Sequence, residues 1–209
     1  MAEPKPWRKI KFKTMAITSD LVKHLRQLTG ASIALCKKAL EETAGDMDRA
    51  MALLKKSSEA LASKKEGRST GSGLIESYIH GVGKVGVLLE LRCETDFVAR
   101  NAEFKTLAHD IALHIAGVKP GYIDQNHVPE EAKEEAKRLF LEEAGSLGKS
   151  KEMTERIVAG KMEAHFREVS LLSQQYVKDP SISVEELIKR HIAHFGEKIE
   201  VTRFVRYEV

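Results

Sequence analysis

Few side chains in this sequence are spaced for chemistry. Glu94 and Asp96 have the residue types of a general acid-base pair, but they straddle the end of an extended run and do not converge on one atom. His109 and His114 lie five apart on a helical pattern, which separates them around the axis and suits a shared metal ion poorly. Cys36 and Cys93 fall in different segments inside apolar patterns. They read as small, reduced, buried hydrophobes rather than as parts of a disulfide or metal framework. The sequence carries no phosphate-binding glycine loop of the Walker or dinucleotide type and no nucleophile elbow. The expectation is a protein that binds rather than an enzyme, needing neither cofactor nor metal.

The stretch that could do the binding is Thr95-Asp96-Phe97-Val98-Ala99-Arg100-Asn101. Ahead of it, Val85, Val87, Leu89, Leu91 and Cys93 recur at period two, as in a half-buried strand. Behind it, Phe104, Leu107, Ala108, Ile111 and Ile115 recur at helical spacing. Thr95, Asp96 and Asn101 are helix-start residues, whose side-chain oxygens accept from the unpaired amides of a first turn. Phe97 therefore stands at a strand-to-helix junction with two readings open. It is either an inward anchor of the core, the usual fate of an aromatic near a helix start, or an outward contact.

The remaining elements follow from the patterning of 209 residues with ordinary apolar and charged content. No apolar run approaches a membrane span and no signal-peptide core is visible, so the reading is a chain of the cytoplasm or an organelle matrix with no membrane contact. Residues 1–16 form a basic extension outside the fold. Lys5, Arg8, Lys9, Lys11 and Lys13 against Glu3 give its first fourteen residues +4, which leaves −1 for the rest of a chain whose net charge is +3. A nucleic-acid-binding face is thus not expected on the folded part, and Lys64 and Lys65 are accounted for equally by a solvated linker, so RNA enters only indirectly.

Residues 17–56 read as three short helices. Leu21, Leu25 and Leu28 line the first, Ser32 caps the second with Cys36, Ala39 and Leu40 inward, and Met47, Ala50, Met51 and Leu54 face in from the third. Residues 57–73 read as a linker, helical and then flexible. In 74–209, strands at 74–80 and 84–94 join through Gly81-Val82-Gly83 as a hairpin. A third strand closes the chain, with Ile199, Val201, Val205, Tyr207 and Val209 on one parity and a bulge or rim position at Arg203. A helical insertion occupies about 129–172, with Ala132, Ala136, Leu139 and Phe140 inward from its first helix. Met153, Ile157, Met162, Phe166 and Val169 face inward from its second. Ser183-Val184-Glu185-Glu186 is a capping box for a last helix that Gly196 ends. The fold class is α+β, a three-helix domain followed by a small antiparallel three-stranded sheet packed with helices.

Several of these motifs resemble one family in order. Cys93-Glu94-Thr95-Asp96-Phe97-Val98-Ala99-Arg100-Asn101 resembles the signature of translation elongation factor Ts, and Leu28-Thr29-Gly30-Ala31 with Cys36-Lys37-Lys38-Ala39-Leu40 resembles its N-terminal signature. His114-Ile115-Ala116, Gly148-Lys149, Val177-Lys178-Asp179-Pro180-Ser181 and the closing Arg203-Phe204-Val205-Arg206-Tyr207-Glu208-Val209 are similar to later motifs of the same family, so the resemblance covers about residue 17 to the end.

The resemblance implies a guanine-nucleotide exchange factor of protein biosynthesis that binds elongation factor Tu, preferentially nucleotide-free. It implies a ubiquitin-associated-type N-terminal domain docked on the GTP-binding domain through Thr29, Gly30, Ala31, Ile33, Lys37 and Lys38, where Ser32-Ile33-Ala34-Leu35 stands for the family's common Gly-Met-Met-Asp. It makes Phe97 a wedge near the partner's magnesium site, with Asp96 orienting the turn or bonding to the moved helix. Thr95, Val98, Ala99, Arg100 and Asn101 are then the scaffold, and His114 a weaker contact to another domain of the partner. A single sheet-helix core, where longer members have two, implies a homodimer or a two-by-two complex through the C-terminal strands.

Overall fold

The structure, a computed structural model, describes residues 17–146, 148 and 150–209; the basic extension and Lys149 of the Gly148-Lys149 motif lie outside the described residues. The chain divides into two units, residues 1–59 and 60–209. Among the described residues no helix is long and apolar enough to cross a membrane.

In the first unit, α1 (Ser19–Thr29) starts where Thr18 accepts from the Leu21 amide and ends at Gly30, whose φ of 69° gives the left-handed turn that favours glycine. Ser32 caps α2 (Ile33–Glu42), and Asp46 accepts from the Arg49 amide in the first turn of α3 (Met47–Lys65), a helix that continues past residue 56. Val22, Leu25, Cys36, Ala39, Leu40, Ala50 and Leu54 form the core. The expected α1 stripe is corrected here. Val22 joins Leu25 inside, whereas Leu28 is 47% exposed, because Gly30 turns the chain away before the last turn can pack.

In the second unit β1 (Ser72–His80), β2 (Val85–Cys93) and a closing β5 (Ile199–Glu208) form one antiparallel sheet in the order β1-β2-β5. Gly73 is required where β1 crosses β2, since a Cβ there would stand 2.4 Å from the Leu91 carbonyl oxygen and 2.8 Å from the Arg92 Cα. After the short α4 (Asp96–Ala99), α5 (Ala102–Val118) lays Phe104, Leu107, Ile111 and Ile115 against Val87, Leu89, Leu91 and Cys93 of the sheet's inner face. Each such side chain contributes about 1.5–3 kcal/mol on burial, so this layer is the main source of the unit's stability.

The β5 parity predicted from sequence is corrected by the register. The pairing runs Leu91 with Val201 but Glu90 with Arg203, so Thr202 is an extra residue in a bulge beside the expected Arg203. Beyond it the alternation inverts. Phe204 packs against the core, while Tyr207 and Val209 are 70% and 95% exposed.

α6 (Glu130–Gly145) and α7 (Lys151–Val169) form a hairpin around Val128, Ala136 and Phe166. Leu139 and Met153, expected inward, are 53% and 47% exposed, and Val158 is buried instead. With only two helices to cover each other, the apolar stripe is narrower than a composition-based reading allows. The chain then forms a miniature hairpin of β3 (Gln175–Tyr176) and β4 (Asp179–Ser183). From it the Ser183–Glu186 capping box opens α8 (Val184–Phe195).

His114 ties α5 to this return segment. It is fully buried, and its Nδ1 accepts from the Val177 amide at 3.2 Å, which leaves Nε2–H to donate to Gln174 Oε1 at 3.0 Å. Burial pushes its pKa below the ordinary 6.5, outweighing the upward pull of Gln174, and burial acts likewise on His191 of α8. Below pH 6.5 the unfolded chain takes up protons that these buried rings refuse, so their contribution to stability is constant well above that value and declines beneath it. Urea unfolding at pH 7.5, 6.0 and 5.0 should show this decline, with a shallower slope in His114→Gln; equal slopes would remove His114 from the account.

Candidate functional site

The junction between β2 and α5 is anchored on both sides of its tip. Cys93 ends β2 fully buried, its thiol pushed up to about 11 chiefly by burial, and its Sγ–H donates to the Thr95 carbonyl at 3.2 Å. Thr95 caps α4 by accepting from the Val98 amide, Asn101 caps α5 by accepting from the Glu103 amide at 2.8 Å, and Val98 and Ala99 are buried beneath the turn. Phe97 points away from that base, 84% exposed. The inward-anchor reading of Phe97 is thereby excluded; a two-helix start whose adjacent Val98 and Ala99 face the core has no room to bury the residue on the opposite side.

Asp96 lies beside Phe97 and pairs with Arg100 at 2.6 Å across one helical turn, both groups open to water. Glu94 faces elsewhere. Burial alone would raise its pKa, but the Lys198 amide at 2.7 Å and Arg68 at 3.0 Å hold it below the ordinary carboxyl value. Glu94 and Asp96 thus serve different partners rather than one reacting atom. Asp96 also lines a surface groove of about 430 Å³, together with Gly71 and Gly73 around the start of β1 and Glu90 and Arg92 of β2. The tip therefore offers an aromatic ring, a carboxyl group and an adjoining polar groove on a turn whose base is packed.

The residues expected to dock from the first unit divide. Gly30 and Ile33 are exposed, and Lys37 and Lys38 extend outward within 3.9 Å of Glu41 and Glu42. Ala31 is buried, and the Thr29 hydroxyl donates back to the Leu25 carbonyl at 2.7 Å, so these two shape the edge rather than line it. His114, expected to touch a partner, is enclosed and acts as an internal strut. Its polar character concealed this in the sequence, because the buried Gln174 that satisfies it lies sixty residues away. His109 is at the surface, bonded to Glu76 at 3.0 Å. Among the described residues no group of His, Cys, Asp and Glu side chains is arranged to hold a metal ion.

Sequence reasoning missed Glu197. Its Oε1 accepts from the Thr95 hydroxyl at 2.6 Å and its Oε2 from the Thr95 amide at 3.0 Å, across 102 residues of chain. No local spacing could have signalled that contact.

These features define an α+β protein that presents a rigid aromatic and acidic tip on its surface. Comparison with protein-family models matches residues 11–209 to the family described as Elongation factor TS. The chain is 50% identical over 193 residues to Elongation factor Ts of Coprothermobacter proteolyticus, covering 92% of this chain and 98% of that one. It is 47% identical to Elongation factor Ts of Thermotoga petrophila over 93% of this chain and 97% of the other, and 46% identical to that of Carboxydothermus hydrogenoformans over 92% and 89%. The chain belongs to the elongation factor Ts family, and that membership implies a nucleotide-exchange factor for elongation factor Tu in translation.

The exposure of Phe97 separates it from a core aromatic in a direct measurement. Phe97→Ala should change unfolding free energy by less than about 0.5 kcal/mol, as for other surface sites. Phe104→Ala, at the fully buried helix position, should cost about 3–5 kcal/mol. Denaturant unfolding of the two variants decides; comparable losses would return Phe97 to the core.

Proposed function

We propose that this chain promotes GDP release from elongation factor Tu by inserting Phe97 as a wedge, acting through binding alone and not as an enzyme. The observation that carries the reading is an apolar ring 84% exposed on a turn whose neighbours are buried. A GTPase holds GDP through backbone amides and a lysine around the phosphates together with a magnesium ion, so displacing that cradle releases the nucleotide without any covalent step. Phe97 supplies the displacing volume, and Asp96 bonds at the same tip to donors that the moved helix uncovers. Because the wedge fits only the disturbed cradle, the chain prefers nucleotide-free partner, and by linkage returning nucleotide expels it by the same factor. The exposed edge at Gly30, Ile33, Lys37 and Lys38 adds a second attachment, which raises affinity through effective concentration.

A central aromatic of an interface commonly accounts for about 2 kcal/mol or more, and 1.4 kcal/mol is a factor of ten. Release of labelled GDP from elongation factor Tu should therefore be accelerated by the wild-type chain and at least about tenfold less by Phe97→Ala, with Asp96→Ala intermediate. Equal acceleration by wild type and Phe97→Ala overturns the wedge.

The chain also pairs with a second copy in this reading. β5 is an edge strand, and the outer face of the sheet carries Ile75, Ile79, Leu88 and Tyr207, all exposed. Light scattering at micromolar concentration should report a dimer that persists in reductant, since neither cysteine lies on that surface. A monomer there refutes the pairing.

A further inference from the structure

The tip has no packing of its own, so its direction is set by what grips the turn beneath it. Val98 and Ala99 hold one side through burial. The other side is held by a reciprocal exchange of bonds between residues 94–95 and 197–198. Glu197 accepts from both the amide and the hydroxyl of Thr95 at 3.0 and 2.6 Å, and Glu94 accepts from the Lys198 amide at 2.7 Å. The loop that supplies Glu197 is itself fixed. Gly196 ends α8 at a φ of 70°, its carbonyl accepts from Lys65, and Lys198 leads directly into β5.

Thr95 is the pivot. Its hydroxyl hydrogen points to Glu197 while the same oxygen accepts from the Val98 amide, so the rotamer that caps α4 is the rotamer that Glu197 demands. An isolated helix of four residues is far below the length that sustains itself, and α4 keeps its shape only through such external ties. Glu197 is half-buried and its bonded partner is Thr95, not the groups of the tip.

We propose that Glu197 is a positioning residue for nucleotide exchange, acting through Thr95 to hold the α4 turn so that Phe97 enters the partner in one fixed direction. The inference rests on the wedge reading given above. It assigns a role to the loop between α8 and β5, remote in sequence from the tip, and predicts a loss in the step after docking rather than in docking itself, because misdirection of a wedge lowers what it does once bound.

The test uses the full chain. GDP release from elongation factor Tu is followed over a concentration series of wild type, Glu197→Ala, Glu197→Gln and Glu197→Asp, and amide hydrogen exchange at Thr95 and Val98 is read on the free proteins. Glu197→Ala should lower the maximal release rate about tenfold while the half-saturating concentration moves by less than about threefold. Glu197→Gln, whose single amide oxygen can still accept from the Thr95 amide while its NH2 must donate to the Thr95 hydroxyl in place of the second acceptor, should recover part of that rate. Glu197→Asp, charged but one methylene short, should not, and it preserves the comparison where the alanine variant melts early. Amide exchange at Thr95 should quicken in the alanine and aspartate variants and stay near wild type in the glutamine variant.

A wild-type maximal rate in Glu197→Ala overturns the proposal, and so does an unchanged Thr95 amide. Equal losses in Glu197→Ala and Glu197→Gln, with the Thr95 amide of the glutamine variant still protected as in wild type, overturn it too, because charge would then matter instead of the bonded turn. A wild-type chain that leaves GDP release unaffected overturns the wedge reading and the exchange role with it, and the Thr95 amide then separates that failure from a failure of the Glu197 contact.

Discussion

Everything at the site depends on the contact between the inner face of the sheet and α5. Val87, Leu89, Leu91 and Cys93 are at most 1% exposed, and Phe104, Leu107, Ile111 and Ile115 cover them to the same degree. Because β2 is the central strand and α5 lies on it, the eight residues that join them, 94–101, are held at both ends by packed core. A turn so short and so firmly tethered cannot hide every side chain. Val98 and Ala99 take the inward positions, and Phe97 is left in solvent.

The polar groups around this junction complete the restraint. Thr95 and Asn101 each satisfy an amide at a helix start, and Glu94 and Glu197 join the turn to the distant segment 197–198 from the side. At the opposite end of the sheet Arg206 donates twice to the Ala116 carbonyl and pairs with Glu208, which also takes Lys119. These donors bring the Glu208 carboxyl down to about 2. Charged side chains thus tie β5 to the C-terminal end of α5, while the apolar layer supplies the stability.

The organisation of the chain fits the proposed action through binding. Its two cysteines are buried, its buried histidine is bonded to an amide and a glutamine, and the carboxyl groups near the tip are each engaged with a separate donor. What remains outward is an aromatic ring, one acid and a groove. In the first unit, a core of leucines interleaved with alanines leaves Ile33, Lys37 and Lys38 on an outer edge. Such surfaces recognise a folded partner through fit and through the water they release.

Local physics was legible in the sequence wherever a short spacing carried it. Period two over 85–93, helical period over 104–115, the caps at Ser32, Asn101 and Ser183, and the glycine ends at Gly30 and Gly196 all depend on neighbours within four residues, and each stands where the pattern placed it. The Asp-Phe tip was legible as a junction, but the sequence left open whether Phe97 faced in or out. Tertiary structure decided that question, since the side on which Val98 and Ala99 meet the core leaves Phe97 the other. It decided equally that Thr202 bulges and turns Phe204 inward, that His114 is enclosed by Gln174 and the Val177 amide, and that Glu197 grips Thr95. In the last three cases the deciding partner lies sixty or more residues away along the chain, beyond the reach of any periodicity, and only the folded packing brings the two together.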